Sequence, residues 1–99
     1  MGKENYFKIE AKEVGQYEGI KLFSNNHLPK ECVAMMNYGG FIEIHPDALE
    51  ILKEKPEYLE RIYQHEINAG PGHGSHKCED TDILLYLKER GYDFGTLAV

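Results

Sequence analysis

The chain has 99 residues, enough for one domain with a modest core. With 41% hydrophobic and 28% charged residues it has the composition of an ordinary folded chain. A net charge of -6 argues against the basic face that unspecific nucleic-acid binding needs, and the longest apolar run, ILLYL at 83–87, falls far short of a membrane span.

The first ten residues, MGKENYFKIE, are polar and charged and carry no signal-peptide pattern. Tyr6 stands where a myristoylation signal has Ser or Thr. Cys32 and Cys78 permit one disulfide, but this start predicts a cytoplasmic protein with reduced thiols. Over residues 1–16 the pattern is weak; Tyr6, Phe7 and Ile9 suit a short strand or a helix start. Residues 17–23, YEGIKLF, alternate apolar and polar side chains and predict a half-buried strand. SNNHLPKE at 24–31 reads as a loop. CVAMM at 32–36 predicts a buried strand, residues 37–40 a turn, and FIEIH at 41–45 a strand that pairs back as a hairpin.

Pro46 and Asp47 then open a helix with Ala48, Leu49, Ile51 and Leu52 on its apolar side. Pro56 interrupts it and starts a second helix over 56–69, where Leu59, Ile62, Tyr63 and Ile67 recur at helical spacing. Gly70-Pro71-Gly72 stops that helix. A third runs over about 79–90, acidic in its first turn, basic in its last, and closed by Gly91. The tail YDFGTLAV suits an edge strand or packs down. Strands precede helices, which predicts an α+β fold: a small, mostly antiparallel sheet of about three strands with two to three helices on one face, in a single domain over 1–99.

The chemistry concentrates between His65 and Asp82, HEINAGPGHGSHKCEDTD. His65, His73, His76 and Cys78 lie there with Glu66, Glu79, Asp80 and Asp82, the side chains that bind borderline metals such as zinc. At 100° per residue Glu66 falls near the middle of the apolar face of the second helix. Asp80 projects with Ile83, Leu84 and Leu87 on the third. Two helices thus each aim a carboxylate inward, which is costly unless a metal or a histidine partner resolves it. Each residue also has a plainer role. Glu66 suits a core rim with its tip in water. Asp80 and Asp82 suit helix N-caps. His73 and His76 suit a solvated loop, and Cys78 a small buried hydrophobe. Cys32 reads as core, and His45 as a strand-end histidine half in water rather than one facing the site.

From about Tyr17 to Asp93 the chain resembles the small zincin-like zinc metallopeptidase domains of bacteria and phages. His65-Glu66 matches the first half of their H-E-x-x-H motif. FIEIHPDALEIL is similar to the strand and helix before that motif, YLERIYQ to its lead-in, and EDTDILLYLKERGYD to the helix that follows. The resemblance implies His65 as a zinc ligand and Glu66 as general base on a zinc-activated water. It implies a third ligand among Glu79, Asp80 and Asp82. The family's second histidine would stand at position 69, which is Ala69; His73 or His76 would have to replace it.

Three functions compete. The first is a metal-dependent, peptidase-like hydrolase with zinc on His65, His73 or His76 and an acid at 79–82. The second is a non-catalytic interaction protein on a degenerate zincin-like scaffold, motivated by Ala69. The third is a structural zinc site of His65, His73, His76 and Cys78. The expected partners are a peptide or protein substrate, or a partner protein, with no nucleic acid and no membrane.

Overall fold

The computed structural model describes residues 11–70 and 78–94. Among them, four strands come first: β1 (Ala11–Tyr17), β2 (Ile20–Asn25), β3 (Ala34–Met36) and β4 (Ile42–Ile44). Three helices follow: α1 (Pro46–Leu52), α2 (Pro56–Ala69) and α3 (Thr81–Glu89). The fold is α+β. Its sheet has the order β1-β2-β4-β3, four strands rather than about three. The β1–β2 and β3–β4 pairs are antiparallel and the central β2–β4 pair is parallel.

The extra strand comes from residues 11–25. YEGIKLF is not one strand, because Glu18 and Gly19 turn the chain back inside it. Both have positive φ, 53° and 83°. Positive φ at both central residues gives the two-residue turn whose twist suits a hairpin. A register shift between Glu13 and Gly15 puts a bulge in β1. Residues 1–10 and 95–99 lie outside the described residues, and with them the expected element at Tyr6–Ile9 and most of the tail. Tyr92 of that tail packs down, 5% exposed.

Alternation sorts the sheet into two faces. Leu22, Ser24, Ala34, Met36, Ile42 and Ile44 are buried under the helices, with α1 against β2 and α2 against β3. Phe23, Met35 and Glu43 lie on the other face, half-buried. There the Glu43 carboxylate accepts from Asn25 Nδ2 (3.2 Å) and Asn37 Nδ2 (3.1 Å), clamping the end of β2 to the β3–β4 turn. The core centres on Ile42, Ile44, Leu52, Ile83 and Leu87. Burying each such side chain stabilises the fold by about 1.5–3 kcal/mol. Among the described residues no helix is long and apolar enough to cross a membrane.

Cys32 and Val33 do not join β3 as CVAMM had suggested. Ala34 N donates to Cys32 O (2.7 Å) around Val33, whose φ is 67°. A three-residue turn with positive φ is rare, and at a β-branched residue it stores on the order of 1–3 kcal/mol. His45 N donates to Val33 O (2.9 Å), and the Val33 side chain is 1% exposed, so the surroundings hold the turn in place.

Candidate functional site

The bounds of α2 follow from its ends. Pro56 fits a first turn, where its missing N–H costs nothing. Gly70 closes the helix with φ 81° and donates its N–H to Glu66 O (2.9 Å). Between them Leu59, Ile62, Tyr63, Glu66 and Ile67 make one stripe, turned toward the core. Glu66 is 4% exposed. The carboxylate therefore does not sit at the rim with its tip in water. Tyr63, beside it on the stripe, has its phenol pushed up to about 12 by burial. His65 lies off the stripe and is exposed.

Asp80 is the N-cap of α3. Its Oδ1 accepts from Ile83 N (3.3 Å), the bond expected of Asp at a helix start. Arg61 on α2 donates through Nη2 to both Asp80 oxygens (2.7 and 2.6 Å) and reaches Asp82 Oδ2 (3.4 Å). These carboxylates hold the Arg61 guanidinium above its usual pKa, Asp80 most of all. The acid of α3 that projects toward α2 is thus already engaged, as a cap and as an ion pair.

A cavity of about 250 Å³ opens between α2 and α3. Its walls include Cys32, His65, Glu66, Cys78, Glu79 and Asp80. Ala34, at the start of β3, and the strained Val33 complete one side. Burial pushes the Cys78 thiol up. A backbone N–H at Asp80 opposes this, while the charges of Asp80, Glu66 and Glu79 add to it. The acids therefore converge near one sulfur.

Of the residues the sequence singled out, the structure brings His65, Glu66, Glu79 and Asp80 to one cavity. His73 and His76 lie outside the described residues. Imidazole and carboxylate suit zinc in kind, but among the described residues no three His, Cys, Asp or Glu side chains gather as a metal ion needs. The ligand set that the resemblance implies is therefore incomplete without residues 71–77. Arg61 and Cys32 also belong to the cavity. No local signal marks Arg61, because its acid partners are 19 and 21 residues away. Cys32 is buried, as expected of a core residue, but its wall faces the cavity.

His45 sits apart. It is buried rather than half in water, and its Nδ1 accepts from Asp47 N (3.1 Å) as the N-cap of α1. Its ring meets Tyr92 edge-on at 6.2 Å. Tyr92 OH donates to Lys30 O (2.8 Å), Lys30 Nζ lies over the Tyr92 ring, and Lys30 pairs with Asp47 (3.2 Å). Burial lowers the pKa of His45, Asp47 raises it and Lys30 lowers it further.

Compared with family models, with curated proteins and with solved structures, the chain finds no match in any of the three. The zincin-like resemblance therefore rests on its own residues and the order of its elements.

Proposed function

We propose that the cavity between α2 and α3 is the site of a peptidase-like hydrolase with Glu66 as its general base. One observation carries this reading: a carboxylate kept almost dry on the apolar stripe of α2, in the wall of a cavity shared with His65 and Glu79. Burying a carboxylate is costly, and such groups concentrate at functional sites. The strained turn at Val33 lines the same cavity, and backbone strain also concentrates at functional sites.

The volume bears on the substrate. A cavity of about 250 Å³ is smaller than the roughly 300–1,000 Å³ of sites that engulf a whole small molecule. It suits one side chain of a longer ligand. Beside it runs β3, the last strand of the sheet among the described residues. A peptide laid along that edge would gain main-chain hydrogen bonds and place one residue at the cavity. Glu66 would take a proton from water as the oxygen attacks the peptide carbonyl, then pass it to the departing amine. Zinc, when bound, would polarise the carbonyl and acidify water. His65 and Glu79 would hold it, with the missing ligand supplied by His73 or His76.

Native mass spectrometry with and without chelator, run beside a peptide-cleavage assay, tests the reading. The expected result is one zinc per chain, lost in His65→Ala, and cleavage that falls about 10²–10⁴-fold in Glu66→Gln. Cleavage unchanged in Glu66→Gln, or no cleavage by the zinc-loaded protein, would overturn it. Ala69 and the engagement of Asp80 by Arg61 favour a second reading, a non-catalytic interaction protein on the same scaffold. That protein would capture a partner equally well with Glu66→Gln.

A further inference from the structure

Cys32 and Cys78 are far apart in the chain, one before β3 and the other before α3. Neither is in a disulfide, and both line the cavity. The segments that carry them lie side by side: Cys78 N donates to Glu31 O (3.0 Å), the carbonyl directly before Cys32. Across one such bond, with standard backbone bond lengths, the Cα atoms of Cys78 and Cys32 lie at most about 7 Å apart. A disulfide needs Cα atoms about 4.4–6.8 Å apart. Cys32 is buried, whereas Cys78 is partly open to solvent and can be reached from outside.

We propose that Cys32 and Cys78 form a reversible intramolecular disulfide that ties the turn before β3 to the lead-in of α3. The oxidant is a small-molecule disulfide such as oxidised glutathione. The Cys78 thiolate attacks one sulfur of the oxidant, making a mixed disulfide and expelling one glutathione thiolate. The Cys32 thiolate then attacks the Cys78 sulfur, closing the internal bond and expelling the second. The two protons lost by the cysteines end on the two glutathione thiols, so the protein loses two electrons and the oxidant gains them. Closure staples two walls of one cavity, and access to it then depends on the redox state. This does not depend on the hydrolase reading, since the cross-link would form whether or not the cavity cleaves peptides.

The test uses the native full chain with excess oxidised glutathione, followed by alkylation, intact mass and a non-reducing peptide map. The expected result is loss of both alkylatable thiols, an intact mass lower by two hydrogens, and a linked peptide pair holding Cys32 and Cys78 that dithiothreitol separates. In Cys32→Ser, Cys78 is expected to take up glutathione and keep it, because the resolving thiol is gone. The proposal is overturned if both thiols of the native protein remain alkylatable. It is equally overturned if the protein carries only glutathione adducts or forms only disulfide-linked dimers.

Discussion

The starts of α1 and α3 meet the same need by opposite means. Each has backbone N–H groups that no helical carbonyl can reach. At α1 the acceptor is His45, an imidazole 6% exposed and walled by Tyr92. At α3 it is Asp80, a carboxylate that Arg61 neutralises from the neighbouring helix. The first cap is uncharged and dry, and the second is charged and partly wet. The dry cap depends on staying neutral, whereas the wet one tolerates its charge but is committed to it. This difference bears on the candidate site: Asp80 already serves a helix end and an arginine, while Glu79 beside it has neither duty.

Removing the buried cap should have the largest effect. His45→Ala strands the Asp47 N–H and leaves a void, which should cost about 2–3 kcal/mol. Urea unfolding would show it as a lower midpoint at unchanged slope. Asp80→Ala should cost less, about 1 kcal/mol, and Asp80→Asn should recover most of that, since Asn caps as well as Asp. If the alanine and asparagine variants are equally unstable, the ion pair rather than the cap sets the value of Asp80.

A pH titration separates the two caps. The pKa of His45 is lowered in the folded chain, so the fold prefers the neutral ring. Its contribution is complete above the ordinary value of 6.5 and is lost as pH falls below it through the folded value. His45→Asn, a cap that does not titrate, should flatten the stability profile in that window. The smallest effect is expected from salt. Raising ionic strength should weaken the exposed Arg61–Asp80 pair slightly and leave the His45 cap unmoved, read as the salt dependence of stability in Arg61→Ala against the parent.

Where the chain punctuates itself, its structure was legible. Pro56 and Gly70 bound α2 at the expected residues, and Pro46 starts α1. The β3–β4 hairpin is where alternation and the glycine turn put it. The inward carboxylate of Glu66 followed from helical geometry alone. The β1–β2 turn was hidden because Glu18 takes a positive φ that Asn or Asp adopts more readily. The role of His45 was hidden because imidazole is not among the usual caps. Val33 reads as a strand former, and only its tertiary neighbours hold it in a turn. The Arg61–Asp80 pairing links two helices, and nothing in a linear pattern announces it.

The parallel β2–β4 pair governs how the chain must assemble. Two hairpins, β1–β2 and β3–β4, join near neighbours and can close early. The seam between them joins Leu22 to Ile42 and Ser24 to Ile44, so a longer loop must close before any contact there compensates its entropy. Docking of two preformed halves along that seam is therefore the expected slow event in refolding. Truncating Ile42 should retard the folding rate more than truncating Val14 on the outer hairpin.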